Sequence, residues 1–153
     1  MRVWEHRSFT TLHFLVAGTG FGYIYLKYFT ASDSSFAIIQ HPWQSPLMAI
    51  HIVTSGIFAV FYGILLRSHI IPQLRRFRPE NRLTGLISFS TFIVMALSGY
   101  LLQVSSTSLA IEIWTWIHIS TGSLFAITYT LHFVLGNRIR KQRTRIHSRV
   151  SHV

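Results

Sequence analysis

The sequence predicts an all-α membrane protein, an up-down-up-down bundle of four transmembrane helices with both termini in the cytoplasm. Three observations lead there. Half of the 153 residues are hydrophobic and only 12% are charged, about half the charged share of an ordinary soluble domain. Apolar stretches long enough to cross a hydrocarbon core of about 30 Å recur four times, at about 10–29, 46–69, 83–103 and 112–136. The basic residues gather at the ends of these stretches, nearly all on one side.

The first stretch, which opens at Thr10, is expected to be retained as a span rather than cleaved. It lacks a small-x-small cleavage site, and Gly18, Gly20, Gly22, Tyr23, Tyr25 and Lys27 make it too polar for a signal-peptide core. The second and third stretches are joined by a segment holding Arg67, Arg75, Arg76, Arg78 and Arg82. The fourth is followed by Arg138, Arg140, Lys141, Arg143, Arg145 and Arg149. With Arg2 and Arg7 these make 13 of the 14 basic residues, leaving Lys27 for the other side. The positive-inside rule then puts both termini in the cytoplasm. Residues 1–137 read as the bundle and 138–153 as a basic cytoplasmic tail. Trp43, Trp114 and Trp116 mark the outer ends of spans two and four, where an aromatic belt would anchor them. The net charge of +10 is thus accounted for by topology and contact with anionic lipid, and no nucleic-acid partner is expected.

A weak two-fold repeat runs through the chain. GFGYIYLKY precedes a span opening around MAIHIVTSGIFAV, and LSGYLLQV precedes WIHISTGSLFAI. In each half a Gly-Tyr element closes one span, and the next carries a histidine about one turn inside its start, with a glycine shortly after. Such self-similarity suggests two helix pairs of common design.

Nine histidines are many for so apolar a chain, and their depth separates them. His6, His147 and His152 lie in polar ends, and His41 sits in the outer loop as an interfacial hydrogen-bonding group. His13, His51, His118 and His132 lie inside the spans, where an ionisable side chain is costly and usually faces the bundle interior with a partner. His118 and His132 are 14 residues apart on one span. Fourteen steps of ~100° bring them back to nearly one face, ~21 Å apart along the axis. By depth, His51 pairs with His118 near the outer surface and His13 with His132 near the inner one. Two imidazoles at each of two levels suit a flat, axially ligated cofactor such as haem. Zinc or copper would want three or four ligands converging on one point. With no cysteine in the chain, thiolate metal sites, iron–sulfur clusters and covalent haem attachment are excluded. Gly18, Gly20, Gly56, Gly99 and Gly122 offer side-chain-free places beside such a cofactor, or simply close helix packing.

On TLHFL in span one, AIHIVTSG in span two and WIHISTGSLFAITYTLH in span four, the chain resembles the bacterial four-helix cytochromes b. These are the cytochrome b561 family and the membrane b subunits of nickel–iron hydrogenases and formate dehydrogenases. The resemblance covers roughly residues 6–140. It implies two non-covalent b-type haems in a bacterial inner membrane, His51 and His118 holding the outer and His13 and His132 the inner. It further implies electron exchange with quinone; with outer loops so short, either a redox subunit docks on the outer face around His41, Trp43, Trp114 and Trp116, or quinone and a small oxidant are the only substrates. The segment IIQHPWQSP departs from the usual pattern of the family. His69, five full turns from His51 at 100° per residue, is an alternative inner ligand or a contact for quinone or a haem propionate. Arg7, Arg67 and Arg138 are candidate propionate partners. The competing class is a non-redox anchor or assembly protein with structural histidines. A proton-relay transporter is less favoured, because none of Glu5, Asp33, Glu80 and Glu112 lies deep in a span.

Overall fold

A computed structural model of the chain describes residues 3–30, 41–75 and 82–150. All regular structure among them is helical, with no strand. Two compact units divide the chain, Met1–Phe77 and Arg78–Val153, and each is a helix hairpin.

The first hairpin pairs α1 (Val3–Tyr28) with α2 (Gln44–Leu65). Glu5 in the first turn of α1 and Lys27 in its last match the positive and negative ends of the helix dipole. At the start of α2 the His41 side chain takes part: the Trp43 backbone N–H donates to His41 Nδ1 at 3.2 Å. His41 thus accepts a hydrogen bond within a helix-entry turn. Pro46 falls in the first helical turn, where no intrahelical N–H is needed.

The second span was expected to end at His69. Instead the helical path continues through a π-helical turn at Leu66–Ile70 into α3 (Ile71–Arg75). Pro72 supplies the reason. It has no N–H to offer the carbonyl four residues back, and its ring crowds that carbonyl. The turn before it widens, and the Ile71 N–H reaches back five residues to the Leu66 carbonyl. His69 lies inside this turn, so a constant 100° per residue from His51 no longer gives its direction.

The second hairpin pairs α4 (Arg82–Val104) with α5 (Ser108–Val150). Only Ser105, Ser106 and Thr107 separate them, a link short enough to force antiparallel neighbours. α5 has 43 residues, far more than the predicted span of 112–136. Its apolar part ends by Ile139, and the basic segment that follows continues the same helix to Val150.

Among the described residues, three helical stretches are long and apolar enough to cross a membrane: Gln44–Arg75, Arg82–Val104 and Ser108–Ile139. α1 is not among them. Ser8, Thr10, Thr11, His13, Thr19 and three glycines dilute its aliphatic content. The described residues are therefore those of an all-α protein with three membrane-spanning candidates. The apolar helices present aliphatic side chains outward, Val53, Val60, Leu97 and Ile127 all being more than half exposed. Water penalises so much aliphatic surface, and hydrocarbon does not.

Each hairpin closes on an aromatic core. In the first, Phe9 and Phe58 are 2% exposed with ring centroids 4.8 Å apart. In the second, Phe92 meets Phe125 at 5.5 Å. Phe58 follows His51 by seven residues and Phe125 follows His118 by seven, which places the two cores equivalently. HIVTSGIFAVFY from His51 and HISTGSLFAITY from His118 match at six of twelve positions without a gap.

Candidate functional site

The repeated feature of the two hairpins is how they hold a histidine against the partner helix. His51 on α2 brings its Nδ1 to 3.1 Å from the Val16 carbonyl and 3.1 Å from Thr19 Oγ1. His118 on α5 brings its Nδ1 to 2.9 Å from the Met95 carbonyl and 3.4 Å from Ser98 Oγ. In both, the hydroxyl also donates to a carbonyl of its own helix, Thr19 to Leu15 or Val16 and Ser98 to Met95. Carbonyl, hydroxyl and imidazole therefore close the same triangle twice.

A glycine follows the hydroxyl residue each time, and the ring lies on it. A Cβ added at Gly20 would stand 3.0 Å from His51 Cε1, and one at Gly99 would stand 2.9 Å from His118 Cε1. Ordinary carbon contacts are about 3.5–4.0 Å, so only glycine leaves room.

The chemistry of the triangle decides the tautomer. A carbonyl oxygen can only accept, so Nδ1 must carry the proton at His51 and His118. In the neutral ring the lone pair then sits on Nε2. Metal-binding histidines commonly have this arrangement, one ring N–H donated to a backbone carbonyl and the other nitrogen on the metal.

His132 has a related setting at the other end of the second hairpin. Its Nδ1 is 3.1 Å from Thr84 Oγ1, and a Cβ at Gly85 would stand 3.2 Å from its Cε1. Fourteen residues separate Thr84 from Ser98, as fourteen separate His118 from His132. Antiparallel helices of equal rise bring both pairs into register, and both histidines face α4. The same-face expectation for His118 and His132 is met within this hairpin.

His13 is held differently. It is 3% exposed, with the rings of Phe14 at 5.2 Å and Phe58 at 6.2 Å. His69 is half-buried in the π turn. Next to it the Ser68 hydroxyl is buried with no hydrogen-bond partner, as is that of Ser88 on α4. Glu5, Val60, Gly63, Ile64, Arg67 and Ser68 line a shallow groove of the first hairpin. Arg7 and Arg138 are exposed, as are Trp43 and Trp116, and Trp114 is half-buried. His147 and His152 fall outside the residues whose side chains are described, and Arg76, Arg78 and Asp33 outside the described residues. Of the four span histidines, His13 and His51 belong to the first hairpin and His118 and His132 to the second.

The sequence leaves Gly20 and Gly99 as space for either a flat cofactor or close helix packing. Each is covered by an imidazole, and Gly122 by the Met95 side chain, while the places beside Gly18 and Gly56 are open. The seating residues Thr19, Ser98, Thr84 and Gly85 had no assigned role. Their signal was present but not specific: a serine or threonine stands directly before a glycine five times, and Ser55–Gly56 and Thr121–Gly122 seat no histidine. Among the described residues, no three His, Asp or Glu side chains converge on a point. Compared with known proteins, the chain matches no family model, no curated protein and no solved structure.

Proposed function

We propose that the chain is a dihaem b-type cytochrome of a membrane, passing electrons between the quinone pool and a redox partner docked on its outer face. In this reading it is a four-span bundle of a bacterial inner membrane with both termini cytoplasmic, His51 and His118 holding the outer haem and His13 and His132 the inner. One observation carries the reading: two hairpins present a histidine in the same way, with Nδ1–H given to a carbonyl and the lone pair on Nε2. That is the donor chemistry an axial haem ligand requires. The open places beside Gly18 and Gly56 are compatible with a flat ring system near the helices.

Haem supplies one-electron exchange between ferric and ferrous iron. The chain's own residues orient the ligands, exclude water and tune ligand basicity through the bonds to Val16, Thr19, Met95 and Ser98. In the proposed mechanism Arg7, Arg67 and Arg138 serve as partners for the inner-side propionates, and His69 stands near quinone or a propionate.

The triangles also support a second reading, because they satisfy the imidazoles as helix-to-helix glue in a non-redox anchor protein. A reduced-minus-oxidised spectrum of membranes carrying the chain separates the two. The cytochrome reading expects b-type bands and two haems per chain by pyridine haemochrome. A colourless purified protein would leave the anchor reading standing.

A further inference from the structure

We infer that Thr19–Gly20 and Ser98–Gly99 are positioning pairs that lock His51 and His118 as Nδ1–H tautomers with Nε2 as the ligating atom, and that Thr84–Gly85 positions His132 by a hydroxyl contact and a glycine gap. The consequence for iron rests on the cytochrome reading, whereas the tautomer lock stands on geometry alone.

Each part of the seat has a separate task. The hydroxyl spends its proton on a carbonyl of its own helix, so its oxygen turns lone pairs toward the imidazole. The ring N–H then meets two acceptors. An Nε2–H tautomer would instead aim a bare Nδ1 lone pair at a carbonyl oxygen, which repels it. The adjacent glycine lets Cε1 drop between the helices, as close to its backbone as 2.9–3.0 Å from a virtual Cβ. Remove the hydroxyl and the N–H loses one acceptor. Remove the gap and the ring is lifted away from both.

The two seats divide the load unequally. At His51 carbonyl and hydroxyl lie at the same distance, 3.1 Å. At His118 the carbonyl is the nearer, 2.9 Å against 3.4 Å for Ser98. The Thr19 hydroxyl therefore contributes more to its histidine than the Ser98 hydroxyl does to its own. Acceptors on Nδ1–H make an imidazole a stronger donor and favour ferric iron. Thr19→Val keeps the side-chain shape and deletes the acceptor, so it raises the midpoint potential of the haem on His51. Ser98→Ala raises that of the haem on His118 by less.

The test uses the full chain with 15N-labelled histidine in phospholipid nanodiscs. The dithionite-reduced sample gives the ring nitrogen resonances, assigned with His51→Gln and His118→Gln. The expected result is a protonated Nδ1 and an unprotonated or iron-bound Nε2 at both positions. An Nε2–H tautomer at either one overturns the lock. Redox titration of Thr19→Val, Thr19→Ser and Ser98→Ala supplies the second readout. One midpoint should rise in Thr19→Val, return in Thr19→Ser, and leave the other haem unmoved. Unchanged midpoints in Thr19→Val and Ser98→Ala would reduce the hydroxyls to helix fasteners and overturn the positioning role. A colourless chain would end the cytochrome reading, while its nitrogen resonances would still decide the tautomers.

Discussion

Replacing Gly99 with alanine is the sharpest steric test of the seats. The new Cβ would stand 2.9 Å from His118 Cε1 and 3.1 Å from Nδ1, against the about 3.5 Å at which carbon atoms comfortably meet. The ring must withdraw by ~0.6 Å. It cannot do so while keeping Nδ1 at 2.9 Å from the Met95 carbonyl. Overpacking strain of about 1–3 kcal/mol and loss of a bond of about 0.5–1.5 kcal/mol oppose a helix-propensity gain near 1 kcal/mol. The net cost is ~1–3 kcal/mol. Gly20→Ala, with 3.0 Å to His51 Cε1, should cost nearly as much, and Gly85→Ala, at 3.2 Å from His132, less. Gly56→Ala meets nothing within 4 Å and should be neutral or stabilising by up to about 1 kcal/mol. Thermal unfolding in detergent, followed by tryptophan fluorescence, should rank the variants in that order. If Gly56→Ala fell as far as Gly99→Ala, the glycines would matter for something other than seating a ring.

Other expectations follow from the proposed cytochrome reading and from the hairpin cores. His118→Ala should remove one haem and spare the other, and His132→Ala should do the reverse; haem counting by pyridine haemochrome checks both, and retention of both haems in either variant contradicts the ligand pairs. His13→Ala should disrupt the inner haem while His69→Ala leaves two low-spin haems, read from the optical spectrum; the opposite result transfers the ligand role to His69. Phe58→Ala and Phe125→Ala remove equivalent, almost fully buried rings and should each destabilise by about 3–5 kcal/mol, measured as a fall in Tm; a negligible fall in one alone would break the equivalence of the hairpins. Reporter fusions after Arg149 should give a cytoplasmic signal, and a periplasmic one would exchange the inner and outer assignments.

Much of the helical plan was legible because apolar runs and charge clusters speak directly about length and burial. Spans three and four lie within α4 and α5, and the facing of His118 and His132 followed from their spacing alone. Ends were harder. The basic residues after Gly136 were read as a tail, yet nothing in Asn137, Arg138 or Ile139 breaks a helix, and α5 runs on to Val150. Pro72 was visible, but that a proline widens the preceding turn instead of stopping the helix depends on packing that a sequence does not state. The equivalence of the halves was half seen. Gly22–Tyr23 and Gly99–Tyr100 look like counterparts in the string, whereas the histidine contacts match Gly20 with Gly99. Thr19 and Ser98 were overlooked because a hydroxyl inside a helix usually bonds only its own backbone. Its second bond is made across the hairpin, and periodicity within one helix carries no trace of that.

The three seats have a bearing on how the chain is made. Thr19 meets His51, Ser98 meets His118 and Thr84 meets His132, and each pairing joins a helix to its immediate successor. No seat waits for the opposite half. Ribosomes add about 5–20 residues per second, so His51 can be clasped seconds before His118 has been synthesised. Helix pairs close far faster than that, and contacts local in sequence are the quickest to form. His51 and His118 would therefore each be turned to one tautomer within their own hairpin as that hairpin is made.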